Sequence, residues 1–282
     1  MTETGNSLLI AATRALTEAG VPDAARDARR LLSFAVGVEA GRLTLVLPEP
    51  VEPDAQAKFR DLIARRVNRQ PVSQLIGKRA FYGRDYLVTA DVLDPRPETE
   101  ILVEAALAQP FGHVLDLGTG SGCILLTLLA EMADSRGVGV DISPVAVQVA
   151  QTNAQTLELS HRARFMVSDW AAEVEGVFDL VVSNPPYIST REMAELAPEV
   201  RDWEPRMALT DESDGLAAYR AIFGSIGPYL AESGRVVVEI GPDQAQDVSQ
   251  IAQKHGFETL AVIRDLDGRD RVIVAQWIEI PF

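Results

Sequence analysis

The most chemically specific stretch of the chain is Asn184-Pro185-Pro186-Tyr187, which follows the mainly apolar run Phe178 to Ser183. Two successive prolines exclude helix, bias Asn184 toward extended backbone and remove two N–H donors. What remains is rich in acceptors: the Asn184 side-chain oxygen and the Pro185 carbonyl. Such a corner suits a planar NH₂ group, amide or aromatic amine, whose delocalised lone pair makes it a poor nucleophile. Holding both hydrogens aims that lone pair at an electrophile, which is catalysis by proximity and orientation. Tyr187 can pack on the planar group or face a sulfonium. The competing interpretation is a Pro-Pro loop in which Asn184 is only a turn former.

A second constellation lies upstream. His113-Val114-Leu115-Asp116-Leu117 runs into Gly118-Thr119-Gly120-Ser121-Gly122 and then into an apolar helix expected from Cys123 to Ala133. Glycines let the chain reverse tightly and let a ligand approach the backbone without meeting a Cβ. Asp141 follows Gly118 by 23 residues, close to the ~20-residue interval at which an acidic side chain meets ribose hydroxyls. The spacing is Gly-x-Gly-x-Gly, not Gly-x-Gly-x-x-Gly, which weakens a nicotinamide reading. Asp169-Trp170 ends the next strand, where a carboxylate can accept from an adenine amino group and an indole can cover the ring. Alternatively, Trp170 is core and Asp169 a helix cap. Asp116 is either an acceptor for a ligand ammonium group or an organiser of the turn.

These residues need a frame, and the hydrophobic rhythm supplies one. Strands are expected at about 113–118, 137–142, 163–168, 178–183, 235–240, 258–264 and 271–277, alternating with helices as in an α/β domain on a largely parallel sheet. About 50 residues separate the fourth and fifth strands; this insertion carries Pro198 and Pro205 and a helix expected near 214–231. Before residue 75 the spacing is helical, with helices expected at 7–19, 23–36 and 54–68 and a short apolar piece at 43–47. Gln70-Pro71 breaks this bundle, and Phe81-Tyr82-Gly83 with Tyr86-Leu87-Val88 reads as a hairpin with a glycine turn. The expected division is a helical domain at 1–75, a connector at 76–100 and an α/β domain at 101–282.

Composition excludes several classes. Hydrophobic residues make up 47% and charged residues 24%, as in ordinary globular proteins and unlike disordered or coiled-coil chains. Residues 1–75 carry ten basic and nine acidic side chains, net +1, against net −16 for the remainder of a chain whose total is −15. Extended contact with nucleic-acid phosphates would start against repulsion. Cys123 is the single cysteine and His113, His161 and His255 are scattered, so neither a disulfide frame nor a zinc site is expected. With Glu3 where a signal peptide wants positive charge, and no run of 18 apolar residues, the chain reads as cytoplasmic and without a membrane partner.

The order of the glycine turn, Asp141, Asp169-Trp170 and Asn184 to Tyr187 resembles S-adenosylmethionine-dependent amino-group methyltransferases. Val92-Leu93-Asp94-Pro95-Arg96-Pro97-Glu98-Thr99-Glu100 and Gly268-Arg269-Asp270-Arg271-Val272, with Glu204-Pro205 and Leu209, narrow this. They resemble the peptide chain release factor glutamine methyltransferase (HemK/PrmC) family. Asp94 departs from that pattern, which usually has an apolar residue before Pro-Arg-Pro. The resemblance implies a Rossmann-like seven-stranded sheet and N5-methylation of the glutamine in the Gly-Gly-Gln motif of class 1 release factors, by a monomer without a metal. It assigns Gly118, Thr119, Gly120, Ser121 and Gly122 to the methionine portion of the cofactor and Asp141 to its ribose. Asp169 and Trp170 fall on its adenine side, and Asn184, Pro185, Pro186 and Tyr187 hold the glutamine. Rival readings are an adenine-N6 methyltransferase, which poses the same problem of an exocyclic amine, a glutamine methyltransferase of a ribosomal protein, and a catalytically silent cofactor-binding protein.

Overall fold

The computed structural model describes residues 3–278, which divide into two compact units: residues 3–78 with Ala197–Trp203, and Arg79–Leu196 with residues 204–278. In the first, helices Gly5–Glu18, Ala24–Val36 and Pro53–Val67 carry apolar residues at three- and four-residue spacing and bury Leu16, Leu31, Leu32 and Phe59 at their centre. The first helix begins with a capping box between Thr4 and Ser7. A short helix, Val72–Ile76, follows Pro71 and was not expected; its proline at the N-cap starts helix as readily as it ends the preceding one.

Segment Ala197–Trp203, from the long insertion, packs as part of this unit. Its helical turn Pro198–Arg201 places Glu199 against two guanidinium groups, Arg66 at 3.0 Å and Arg69 at 2.9 Å. Arg66, 5% exposed, also donates to Asp27 at 2.8 Å. Gln74 donates to the Trp203 carbonyl, and the Trp203 indole N–H donates to the Asn68 carbonyl.

The hairpin pairs β1 (Lys78–Phe81) with β2 (Arg84–Leu87). Tyr82 and Gly83 both have positive φ, 48° and 75°, the left-handed pair that matches the twist of a tight hairpin.

The second unit is a seven-stranded sheet of β3 (His113–Leu117), β4 (Arg136–Asp141), β5 (Ala163–Val167), β6 (Phe178–Ser183), β7 (Leu230–Glu239), β8 (Phe257–Arg264) and β9 (Asp270–Trp277). Its order is β5-β4-β3-β6-β7-β9-β8, with β3 to β7 parallel and β9 antiparallel to both neighbours. Helices cover both faces, so the central strands read as nearly unbroken apolar runs: Leu115, Leu117, Leu180, Val181, Val182 and Val236 to Val238 are all fully buried. Each such side chain stabilises the fold by about 1.5–3 kcal/mol relative to exposure. All seven expected strands are present. β7, however, starts at Leu230, five residues early, and the helix expected near 214–231 spans only Ala217–Ser225. Gly227-Pro228 ends that helix, and after one 3-10 turn, Gly227–Tyr229, the chain enters the sheet.

The connection leaving β3 runs to one side of the sheet, to β4, and the connection leaving its neighbour β6 runs to the other, to β7. That is the topological switch at which open α/β sheets form a crevice. The turn after β3 and the Pro-Pro corner after β6 meet there.

Candidate functional site

The crevice holds about 990 Å³ of empty space that opens to solvent, and its lining comes from the carboxyl ends of β3, β4, β5 and β6 together with the connector before helix Glu100–Leu107. Of the residues singled out in the sequence, it brings together Gly118, Thr119, Gly120, Ser121, Asp141, Asp169, Trp170, Asn184 and Pro186.

Gly118 and Gly120 adopt φ of 71° and 54°, and a Cβ on either would meet no protein atom within 4 Å. They therefore leave backbone open to the crevice, as a ligand approaching the main chain requires. Gly122 is different, since a Cβ there would press on Ala150, Leu126 and Phe165 at 3.1–3.3 Å. It serves the packing of helix Cys123–Glu131 and does not line the crevice.

Asp141 spans the turn: one carboxylate oxygen accepts from the Gly120 N–H at 2.9 Å and the other from Ser143 N–H at 2.9 Å. It is not the helix cap, because Ser143 caps helix Pro144–Thr156 through Ala146 N–H. Burial raises the Asp141 pKa, against the pull of those N–H donors. Asp116 lies beneath the turn, fully buried and outside the lining, and accepts from the Thr119 hydroxyl at 2.7 Å. This favours the organising role, although its second oxygen, Oδ1, has no hydrogen-bond partner. Desolvation pushes the Asp116 carboxyl up to about 7 despite the Thr119 bond.

Asp169 is exposed and caps no helix, because turns and bends join β5 to β6; the neighbouring Ser168 hydroxyl oxygen accepts from the Glu173 N–H. Trp170 takes a left-handed φ of 49°, packs partly against the core and lines the crevice.

At the end of β6, Asn184 and Pro186 line the crevice while Pro185 is buried and Tyr187 turns away from it. The Asn184 amide Nδ2 donates to Thr99 Oγ1 at 3.2 Å, which leaves its Oδ1 as the acceptor. Tyr187 donates its hydroxyl to Glu239 Oε1 at 3.3 Å, and its carbonyl accepts from the Gln244 side chain at 2.9 Å. A Cβ on Gly215 would lie 2.3 Å from that same carbonyl, so Gly215 packs directly on the motif.

Gly215, Glu239 and Gln244 were not among the residues identified from sequence, and Thr99 stood there only within the connector motif, with no role of its own. A carboxylate ending the apolar run Val236-Val237-Val238 was the one visible signal, because a charge is almost never placed there without a partner. Asp94 is also buried, 3.8 Å from Arg79, while Arg96 reaches both oxygens of Glu204 at 2.6 and 2.8 Å. The Arg79 guanidinium beside Asp94 lets a carboxylate occupy a connector position otherwise suited to an apolar side chain.

Among the described residues no cluster of His, Cys, Asp and Glu could hold a metal, and no helix is long and apolar enough to cross a membrane.

Comparison with known proteins points in one direction. The family model described as Methyltransferase small domain matches residues 89–199, and the PrmC N-terminal domain matches residues 7–77. The release factor glutamine methyltransferase of Cereibacter sphaeroides is 51% identical, covering 95% of this chain and 96% of its own. That of Rhodospirillum rubrum is 45% identical, covering 93% and 81% respectively. Among solved structures, a methyltransferase from Pyrococcus furiosus aligns with a TM-score of 0.54 at 16% identity, over 77% of this chain and 98% of its own. The hMettl16 catalytic domain gives 0.57 at 16%, over 77% and 81%. Likenesses this distant concern the fold alone, a Rossmann-like methyltransferase sheet.

Proposed function

Since this chain belongs to the release factor glutamine methyltransferase family, we propose that it methylates N5 of the glutamine in the Gly-Gly-Gln motif of class 1 release factors. The observation that carries this reading is Asn184 at the crevice, its amide N–H held by Thr99 and its oxygen left to accept from a substrate NH₂. The residues fit S-adenosylmethionine. Gly118 and Gly120 form a cradle that any Cβ would fill, Asp141 offers carboxylate oxygens for ribose hydroxyls, and Trp170 with Asp169 suits an adenine.

When bound, S-adenosylmethionine supplies a methyl group on a sulfonium; the amide nitrogen forms the N–C bond while the C–S electron pair returns to sulfur, leaving a neutral thioether. The chain's own residues orient the nucleophile. Asn184 Oδ1 accepts one amide hydrogen and so directs the nitrogen lone pair; Pro185, the second acceptor expected from sequence, is buried and outside the crevice lining. The nitrogen then loses one proton to solvent, and no strong base is required. Incubation with labelled cofactor and intact release factor, followed by mass spectrometric mapping, tests the proposal. Label on the Gly-Gly-Gln glutamine is expected; label elsewhere, or none, rejects it.

Asp141→Ala is expected to weaken cofactor affinity by about 1–3 kcal/mol, the cost of an unpaired buried polar partner. Calorimetry giving an unchanged affinity would reduce Asp141 to a tie between backbone segments.

We also read residues 1–75 as the part that docks the protein substrate, because their near-neutral charge contrasts with the acidic remainder. Deleting them would strip Ala197–Trp203 of its packing, so substitution is the cleaner test. Ile10 and Leu45 stand 73% and 76% exposed on this unit. Replacing both by Glu is expected to raise KM for intact release factor by roughly tenfold, as for loss of an apolar interface contact, and to leave a short Gly-Gly-Gln peptide unaffected. An unchanged KM for the intact protein would mark the unit as a stabilising appendage. The partner in this reading is a protein, not nucleic acid or membrane, and the enzyme works as a monomer in the cytoplasm.

A further inference from the structure

Beneath the Pro-Pro corner a single buried carboxylate gathers both ends of the motif. Glu239, 1% exposed at the end of β7, accepts from the Thr99 hydroxyl through Oε2 at 2.6 Å and from the Tyr187 hydroxyl through Oε1 at 3.3 Å. Thr99 in turn accepts from Asn184 Nδ2 at 3.2 Å. The three side chains form a line, carboxylate to hydroxyl to amide, ending on the group read above as the acceptor for the substrate nitrogen.

A hydroxyl has one hydrogen to donate. When Glu239 is ionised its oxygens can only accept, so the Thr99 hydrogen is committed to it and Thr99 can only accept from Asn184. The Asn184 NH₂ is thereby turned inward, and Oδ1 is the face left for a substrate NH₂. When Glu239 carries a proton the line can run backwards: the carboxylic O–H donates to Thr99, Thr99 donates to Asn184 Oδ1, and the amide flips. Its NH₂ then meets the substrate NH₂, donor against donor. We propose that Glu239, acting through Thr99, is the positioning residue that sets which end of the Asn184 amide faces the substrate. This rests on the reading of Asn184 as the acceptor for a glutamine amide.

Glu239 has an environment suited to such a switch. Burial pushes its carboxyl up to about 7, while the Thr99 bond, the Arg271 guanidinium and the Tyr187 bond pull the other way and Glu98 adds to the rise. Tyr219, from helix Ala217–Ser225, donates its hydroxyl to the Glu239 backbone carbonyl, and the Glu239 charge acts weakly on the buried Cys123 thiol. Burial raises the Tyr187 and Tyr219 hydroxyls above their ordinary value and the Cys123 thiol to about 12, so none of them titrates near neutrality. The ionised form, and with it the working orientation, is present above the Glu239 pKa and lost as pH falls through it.

The test measures kcat against pH, at saturating cofactor, for wild type, Glu239→Gln, Thr99→Val and Thr99→Ser. Wild type is expected to lose rate below about pH 7. Glu239→Gln is expected to lose that acidic limb and to run about 10- to 100-fold slower at pH 8, the size seen when an outer partner orienting a working side chain is removed. Thr99→Val should lose rate similarly with KM little changed, and Thr99→Ser, which restores the hydroxyl, should recover it. Wild-type kcat and an intact acidic limb in Glu239→Gln overturn the relay, as does failure of Thr99→Ser to exceed Thr99→Val. A second readout needs no methyl transfer: the Asn184 side-chain NH₂ resonances, followed by ¹⁵N NMR across pH 5.5–8.5. They are expected to shift with the Glu239 titration in wild type and stay flat in Glu239→Gln, although Asp116 still titrates in both; resonances identical in the two proteins overturn the relay. A wild-type enzyme that leaves release factor unmethylated while its Asn184 resonances titrate as expected rejects the substrate reading and keeps the relay.

Discussion

Asn184→Ala is expected to lower the single-turnover rate of methyl transfer on the order of 10²–10³-fold, the cost of one preorganised polar contact at a reacting centre, while cofactor affinity stays within twofold. The separation follows from where the atoms sit. Gly118, Gly120 and Asp141 are held by β3, β4 and their own backbone bonds, none of which passes through the Asn184 side chain. Asn184 is anchored from the opposite side of the crevice by Thr99. Stopped-flow transfer rates paired with calorimetric affinities decide the matter. A near-normal rate would remove Asn184 from the chemistry, and a parallel loss of affinity would show that the substitution damages the crevice as a whole.

The second large effect concerns stability. Arg66→Ala is expected to destabilise the helical unit by about 3–5 kcal/mol, because truncating one member of a buried ionic group strands the others. Asp27 and Glu199 both lean on Arg66, at 2.8 and 3.0 Å, and their side chains are only 13% and 16% exposed. Burial works to raise the Glu199 pKa, but hydrogen bonds from its own backbone N–H, Arg69 and Arg66 lower it overall. A depressed folded-state pKa means this contribution is present above the ordinary Glu range and is lost as pH falls through the folded value. Urea unfolding at pH 7 checks the main expectation. The double change Arg66→Met, Asp27→Asn should recover most of the loss, since Glu199 keeps Arg69 as its partner and no charge is then left stranded. An unchanged urea midpoint in Arg66→Ala would place the ion group at the solvated margin.

Most of the sheet was legible because parallel strands covered on both faces must be apolar throughout, and runs such as Leu180-Val181-Val182 announce themselves. The glycine turn and Pro-Pro corner were equally visible, their residue types being required by backbone geometry. The start of β7 was not: its first half, Leu230 to Gly234, is partly exposed and continues a helical-looking sequence, so no periodicity separates it from the helix before. Nor was the Glu199 contact, which joins residues more than a hundred positions apart through charges that look like ordinary surface residues in sequence. The crevice shows the same divide. Asn184 and Asp141 stand out by spacing, whereas Thr99, Gly215 and Gln244 act through partners that only the fold supplies. Tyr187 stands out in sequence as the end of the Asn-Pro-Pro-Tyr motif, yet its hydroxyl is spent on Glu239 and not on the crevice.

The strand order carries a consequence for synthesis. Among the described residues β9 follows every other strand, yet it lies between β7 and β8 and supplies the pairing for one edge of each. A nascent chain that has just made β8 therefore holds two apolar strands with unmatched backbone groups, and neither can pair correctly until the next dozen or so residues leave the ribosome. Exposed strand edges of that kind invite pairing with other chains. The interval is kept short by the tight turn at Asp265 to Arg269, where the Asp265 carboxylate accepts from the Asp267 and Arg269 backbone N–H groups. That turn delivers β9 antiparallel onto β8 almost as soon as it exists, so β9 enters between β7 and the rim strand β8 instead of becoming the rim itself.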